Sequence, residues 1–333
     1  MNLLKSYIFP RLVQWVIVIL IGTTVTFIIP RFSPVNPVDV VMASLASYQT
    51  TDPQAMLKLK ESLEDMMGLN ENIFVQYFKF WGRLLKGDLG PSLARFPIPV
   101  IRVIGNAMPW TISLLLIATI LGWLLGMVLG TFAAYYSHKS WSKILQVVIM
   151  ALYPVPYYVM ALILLMIFAY IFPIFPLFGG VGIGLKPSLS LNFILSVIKH
   201  GFLPAVSIIL VSIGWRFMSQ RALTSTLLSS DFIVYARIAG VRNRKILFYL
   251  FRNSLLPQAT DLALSLGGIF SGALITEVVF SYPGLGQILY SAILQGDYNL
   301  VIGISVFSII GVATGALIID LLYPFLDPRI RYS

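Results

Sequence analysis

A chain of 333 residues that is 58% hydrophobic and only 11% charged has too few polar side chains to cover a water-soluble globule, so much of its surface must face lipid. Cysteine is absent, which excludes disulfide bonds and thiol chemistry, and we expect neither a metal site nor a catalytic residue. The net charge of +10 is explained by basic loops around membrane helices, so a nucleic-acid partner is not expected.

Six apolar blocks follow one another along the chain, and none contains Asp, Glu, Lys or Arg. Most can cross roughly 30 Å of hydrocarbon at about 1.5 Å per residue. The short fifth block would span only with its flanks, from residue 259 to 280. The first block follows Lys5 and Arg11 without a small-x-small cleavage site, which favours a retained helix over a signal peptide. The sequence therefore predicts an all-α integral membrane protein with about six transmembrane helices. The blocks are residues 12–30, 109–137, 144–185, 202–215, 262–276 and 298–319.

Basic residues are concentrated in alternate connections between these blocks. Six spans place both termini on one side, where the flanking segments hold thirteen Lys and Arg residues against few acidic ones, among them Asp231 and Asp327. Because basic residues near span ends stay in the cytoplasm, we expect both termini on the inner side of a prokaryotic cytoplasmic membrane. The thirteen are Lys5, Arg11, Lys139, Lys143, Arg216, Arg221, Arg237, Arg242, Arg244, Lys245, Arg252, Arg329 and Arg331.

The external loop at 31–108 is too long for a simple connection, so it should have structure of its own. Two amphipathic stretches occur in it at helical spacing. The first carries Met56, Leu59, Leu63 and Met66 on its apolar side, and the second carries Ile73, Tyr77, Phe78, Trp81, Leu84 and Leu85. The second stretch also has a basic side, made by Lys79, Arg83 and Lys86. Such a segment either lies on the bilayer surface or forms a docking surface for an external partner.

Glycines and prolines predict how the spans pack and bend. Glycines recur every four residues in three spans, which favours close helix packing over a pore lining. They are Gly122, Gly126 and Gly130, then Gly268 and Gly272, then Gly311 and Gly315. Pro154 and Pro156 predict a bend in the third span, because proline removes a backbone donor.

The most informative segment is the predicted cytoplasmic connection at 219–258. Ser230 or Asp231 can cap a helix over 232–239, and Gly240 can take the left-handed conformation that ends it. A second helix would begin near Asn243 and stop before Pro257. A short rigid helix there could receive force from a separate motor, although an ordinary basic loop would satisfy the charge rule equally well.

The residues from Asp231 to Gly240, DFIVYARIAG, followed by RNSLLP at 252–257, resemble the coupling loop of ABC importer permeases of the dipeptide and oligopeptide family. Other motifs match the same family in order: Gln76-Tyr77, KGDLG at 86–90, LPA at 203–205, EVVFSYPGLG at 277–286 and LDPRIR at 326–331. Together they cover almost the whole chain. The long loop after the first span is similar to that of the B-type subunit.

The resemblance implies a MetI-like permease fold with residues 1–30 as N-terminus and first span, 31–108 as external loop and 109–333 as permease core. It also implies a C-type second permease, two ATP-binding subunits and an extracytoplasmic solute-binding protein as partners. ATP and Mg would be held by the ATPase subunits, and this chain would bind no cofactor. The coupling helix would contact the ATPase through Asp231, Tyr235, Ala236, Arg237 and Gly240, with Arg252, Asn253 and Pro257 at the loop exit. The external motif would be carried by Glu277, Pro283, Gly284 and Gly286.

Other function classes fit the sequence less well. A secondary transporter usually needs ionisable groups near the bilayer midplane, and here every charge is expected near a span end. An intramembrane hydrolase would need a nucleophile and base, but His138 and His200 lie in or beside loops and no Gly-x-Ser-x-Gly turn is present. The resemblance points to short peptides as cargo, with oligosaccharides such as β-glucosides as the alternative.

Overall fold

The computed structural model describes residues 8–32, 36–46, 71–271 and 273–326, together with positions 54, 57, 58, 60–62 and 64. The apolar residues of the first amphipathic stretch, Gly272 and the terminal motif beyond Leu326 lie outside these residues. The described part of the chain is helical and contains no strand, which confirms the all-α class.

Twelve α-helices are defined in the described residues. The first three are α1 Phe9–Ile28, α2 Pro37–Ala46 and α3 Ile73–Leu85. They are followed by α4 Val100–Tyr135, α5 Ser140–Leu152, α6 Tyr157–Leu165, α7 Leu191–Leu228 and α8 Asp231–Ile238. The last four are α9 Asn243–Gly267, α10 Leu274–Val279, α11 Leu285–Gln295 and α12 Tyr298–Leu326. A π-helical turn, Met166–Ile171, continues α6.

Four helical segments in the described residues are long and apolar enough to cross a membrane: Phe9–Phe32, Val100–Tyr135, Leu191–Leu228 and Tyr298–Leu321. The bent pair α5 and α6 makes a fifth if it is one span. The predicted fifth span at 259–280 is not one helix, because α9 ends at Gly267, a 3-10 turn covers Gly268–Ser271 and α10 begins at Leu274. The count of six therefore remains a prediction.

Helices α4 and α7 extend well beyond their apolar blocks. α4 begins at Val100 rather than Pro109, and it continues through that proline. α7 has 38 residues and continues beyond its apolar block through Arg216 and Arg221. At about 57 Å it is longer than a hydrocarbon layer of roughly 30 Å, so the cytoplasmic position of these two residues stays a prediction that a helix leaving the membrane can satisfy.

The predicted bend of the third apolar segment is confirmed. α5 and α6 meet at an angle of 102° around residues 153–156, where Pro154 and Pro156 lie. Pro156 begins α6 as its N-cap residue. The bend therefore changes the direction of the chain much more than an ordinary proline kink.

The glycines of α4 serve close packing, as predicted. A Cβ at Gly126 would lie 2.6 Å from the Cβ of Arg216, and one at Gly130 would lie 2.8 Å from the carbonyl oxygen of Phe217. α4 and α7 therefore pack backbone to backbone, which is the usual basis of helix association in lipid. Gly315 of α12 approaches Gly267 of α9 in the same way, whereas Gly268 has open space around it.

The second amphipathic stretch forms α3, capped by the Asn72 side chain, which accepts a hydrogen bond from the Phe74 N–H at 3.0 Å. Tyr77 packs on Phe27 of α1 with ring centroids 5.2 Å apart. Phe78 is exposed, so this helix has one face on α1 and a second apolar face without a partner in the described residues.

Candidate coupling site

The short helix α8 has well-defined ends. Its first turn follows Ser230, whose carbonyl oxygen accepts the N–H groups of Ile233 and Val234 at 3.0 and 3.1 Å. At the other end Gly240 has a φ of +73°. The Gly240 N–H donates to the Arg237 carbonyl and the Val241 N–H to the Ala236 carbonyl, each at 3.0 Å, which is the Schellman pattern. The predicted helix and its glycine end are confirmed, with bounds within one residue of the prediction.

One face of α8 is fixed to the rest of the protein and the other is open. Ile233 is fully buried and packs with Ile246 and Leu250 of α9. On the outer face Tyr235 is 70% exposed and Ile238 is 77% exposed. Asp231, Arg237 and Gly240 are also exposed and Ala236 is partly buried. An exposed apolar face on a helix that is anchored from behind is suited to a protein partner.

A polar cleft of about 470 Å³ lies beside this helix. Its lining combines the end of α4, at Tyr135 and Tyr136, with His138, Arg237 and Asn243. The cleft joins α8 to the connection between α4 and α5. The surface around α8 therefore includes a concave part as well as an exposed apolar helix.

The helix that follows, α9, connects α8 directly with the membrane bundle. It begins at Asn243 as predicted, but it runs through Pro257 instead of stopping before it. Proline is tolerated inside membrane helices because neighbouring groups satisfy the backbone that it frees. Arg252 and Asn253 are exposed on the same helix, and the Asn253 side chain donates to the Tyr249 carbonyl at 2.8 Å. A displacement of α8 can therefore pass along one continuous helix of about 37 Å.

Buried polar side chains join α9 to α7 and α4, and we call this set the polar seam. The Gln220 amide nitrogen lies 2.7 Å from both the Thr131 and the Ser254 hydroxyl oxygens. The Gln258 amide donates to the Ser219 hydroxyl at 3.1 Å. These contacts were not predicted, although Ser254, Gln258, Asp261 and Ser265 recur at helical spacing along α9. The polar seam ties the helix that leaves α8 to the two longest helices of the bundle.

The polar seam ends at an ion pair between Arg216 of α7 and Asp261 of α9. Arg216 Nε lies 3.6 Å from Asp261 Oδ2, and Arg216 is only 8% exposed. The guanidinium also donates to the Ser265 hydroxyl at 3.1 Å. This ion pair was not predicted from the sequence. Arg216 lies twelve residues before the end of α7, at a distance of about 18 Å along the helix.

The external motif is built around the buried carboxylate of Glu277. It accepts the Thr111 hydroxyl and the Gly286 N–H, each at 2.7 Å, and so caps the first turn of α11. A Cβ at Gly284 would collide with this carboxylate, and one at Gly286 would collide with the backbone of Leu274. Pro283 packs against the loop at Gly180. The four motif residues therefore form one structural unit around a capped helix.

The Gln287 N–H is a third donor to the Glu277 carboxylate, at 3.3 Å. These donors stabilise the ionised form at the position where the N-terminus of α11 also favours a negative charge. Among the described residues no group of histidine and acidic side chains could hold a metal ion.

Comparison with known proteins shows which family of transport proteins this chain resembles along its length. Residues 126–332 match the model of the family described as binding-protein-dependent transport system inner membrane component. The chain is 30% identical to the oligopeptide transport system permease protein AppB of Bacillus subtilis, over 99% of this chain and all of that protein. It is 30% identical to the oligopeptide permease protein OppB of Haemophilus influenzae and 31% identical to the dipeptide permease protein DppB of Alkalihalophilus pseudofirmus. Each of these matches covers 98% of this chain and 99% of the relative.

Proposed function

Because the chain belongs to the family of binding-protein-dependent transport system inner membrane components, we propose that it forms half of the translocation path of an ATP-driven importer of short peptides. Its partners would be a second permease, two ATP-binding subunits and an extracytoplasmic solute-binding protein. ATP and Mg would bind to the ATPase subunits and not to this chain. Both termini and α8 would face the cytoplasm, in agreement with the distribution of basic residues.

The observation that carries the proposal is the geometry of α8. Its inner face is anchored by Ile233, while Tyr235 and Ile238 are exposed on its outer face. Asp231, Ala236, Arg237 and Gly240 would complete the contact with the ATPase. Force applied to this face would move α9 through the packing of Ile233, and the polar seam would carry it to α4 and α7. Arg252, Asn253 and Pro257 lie on that path along α9.

Peptides are favoured as cargo over oligosaccharides. The relatives AppB, OppB and DppB are named as permeases for oligopeptides or dipeptides, and they align with nearly the full length of this chain. A secondary transporter would not require an exposed apolar helix outside the membrane. The exposed face of α8 therefore favours a transporter driven by a separate protein.

Reconstitution of the complete transporter tests this function. The chain is purified with its second permease and ATPase subunits, placed in liposomes and supplied with the cognate binding protein. We expect labelled tripeptide uptake that requires both ATP and the binding protein. ATP-driven uptake of cellobiose without peptide uptake would assign the alternative cargo, and uptake driven by a proton or sodium gradient alone would refute the importer.

A further inference from the structure

One exposed face of the bundle differs in chemistry from the others. The exposed residues of α1, α4 and α6 within the membrane segments are mainly aliphatic, as lipid requires; Ile17, Leu121 and Leu162 are examples. The face shared by α7 and α9, which we call the α7/α9 face, instead presents Trp215 and Asp261, with the latter side chain 33% exposed. Pro257 and Leu264 are exposed on the same side of α9, one turn before and one turn after Asp261.

The position of Asp261 beside α4 makes its exposure significant. Asp261 follows Gln258, whose carbonyl oxygen accepts the Trp123 indole N–H at 2.8 Å. Trp123 lies at the middle of the apolar block 109–137 in α4, a helix long and apolar enough to cross a membrane, so this part of α9 lies at membrane depth. A carboxylate inside a membrane is costly, so such groups face the protein interior or a water-filled cavity. The α7/α9 face is therefore not a lipid-facing surface.

The carboxylate of Asp261 also has unused capacity for hydrogen bonds. Its Oδ2 is buried and accepts no hydrogen bond from the described residues, and the 3.6 Å to Arg216 Nε is too long for one. Arg216 balances the negative charge of Asp261, but the shortest hydrogen bond that its guanidinium donates is to the Ser265 hydroxyl. Because Oδ2 is buried, the exposed part of the side chain lies on its other atoms, and Oδ1 is the oxygen that a further donor can reach.

We propose that Asp261 lies on the water-filled translocation path and binds the ammonium group of the solute as it passes. This inference rests on the proposed function, since an N-terminal ammonium is the cation that every unmodified peptide carries. Arg216 positions the carboxylate and lowers its net attraction, so that the contact is weak enough for release. Ser265 and Ser212 hold Arg216 in place, the latter through its carbonyl oxygen at 3.5 Å.

The absence of cysteine from this chain allows a direct test of the path. Leu264→Cys is introduced one turn from Asp261, and Leu162→Cys on the aliphatic surface of α6 is the control. The assembled transporter, with cysteine-free partners, is treated during ATP turnover with methanethiosulfonates that carry trimethylammonium or sulfonate. We expect reaction at Leu264→Cys only, with a preference for the cationic reagent about tenfold above the preference that the two reagents show for free 2-mercaptoethanol, as one charge contact allows.

Adding Asp261→Asn should reduce the preference for the cationic reagent to that of free 2-mercaptoethanol. An unreactive Leu264→Cys, or a preference that survives Asp261→Asn, would overturn the proposal. If Asp261→Asn does not assemble, protection of Leu264→Cys by saturating trialanine replaces it, and absence of protection would contradict the proposal. Labelling of the cysteine measures whether position 264 is accessible from water, and it does not require transport of a peptide. This experiment therefore tests the inference even if peptide import fails.

Measurement of peptide uptake provides a second test of the inference. Asp261→Asn should lower trialanine uptake about tenfold while stimulation of ATP hydrolysis by the binding protein persists. Asp261→Glu should retain most of the uptake because it keeps the charge. The matched control is Asp320→Asn, which removes the ion pair of Asp320 with Arg11 at 3.3 Å, away from the α7/α9 face. If the wild-type transporter takes up trialanine and the Asp261→Asn variant takes it up equally well, the inference is refuted and the proposed function stands. If the wild-type transporter takes up no peptide, the proposed function is refuted.

Discussion

Replacing Gly240 with valine tests whether the end of α8 transmits force. Gly240 has a φ of +73°, and a Cβ placed there would meet no atom within 4 Å. The cost of the substitution is therefore conformational, about 1–2 kcal/mol for a residue with a Cβ in the left-handed region. That free energy changes the population of the intact helix end by a factor of about 5–30.

We expect Gly240→Val to lower the number of peptides taken up per ATP hydrolysed at least about fivefold, while the protein still assembles in the membrane. Both rates are measured on the same proteoliposomes. Gly184→Val is the matched control, because Gly184 has a φ of +82° and equally open surroundings but lies in the loop between α6 and α7. An unchanged ratio for Gly240→Val, or an equal loss for both variants, would refute the reasoning.

Three further substitutions test the packing of the bundle. Gly126→Leu should prevent close approach of α4 to Arg216 and abolish assembly of the permease pair on size-exclusion chromatography, whereas Gly105→Ala, which has open space, should assemble normally. Gln220→Leu should destabilise the complex by about 1–3 kcal/mol in thermal unfolding because it leaves the hydroxyl groups of the polar seam without their partner; an unchanged midpoint would count against the polar seam. Glu277→Gln removes the charged cap of α11 and should also lower the stability of the complex by about 1–3 kcal/mol. A variant as stable as the wild type would contradict that role.

Local signals allowed α8 to be predicted almost to the residue. Gly240 acts within one turn of the chain, so its effect does not depend on distant parts of the fold. Ser230 precedes the helix as predicted, but its hydroxyl donates to the Leu227 carbonyl oxygen and does not cap the helix. The bend at Pro154 and Pro156 was predicted for the same reason. Its angle of 102° was not, because the angle depends on how the two helices pack against the bundle.

The interior of the bundle was harder to predict. The ion pair of Arg216 with Asp261 was not predicted because the two residues are distant in sequence and come close only when α7 and α9 pack together. Pro257 was taken as a helix end, but the residue before a proline is only a probable helix boundary, and α9 continues through Pro257. For Glu277 the family resemblance identified the motif, and only the structure shows that its carboxylate caps α11.

The central claim is that the outer face of α8 seats against the ATP-binding subunit, and a site-specific crosslink tests it most directly. In the assembled and active transporter, Tyr235→Cys and, separately, Ile233→Cys are labelled with benzophenone maleimide and illuminated. We predict a crosslink to the ATPase from the exposed position 235 and none from the buried position 233. An active complex in which position 235 gives no adduct with the ATPase would contradict the account.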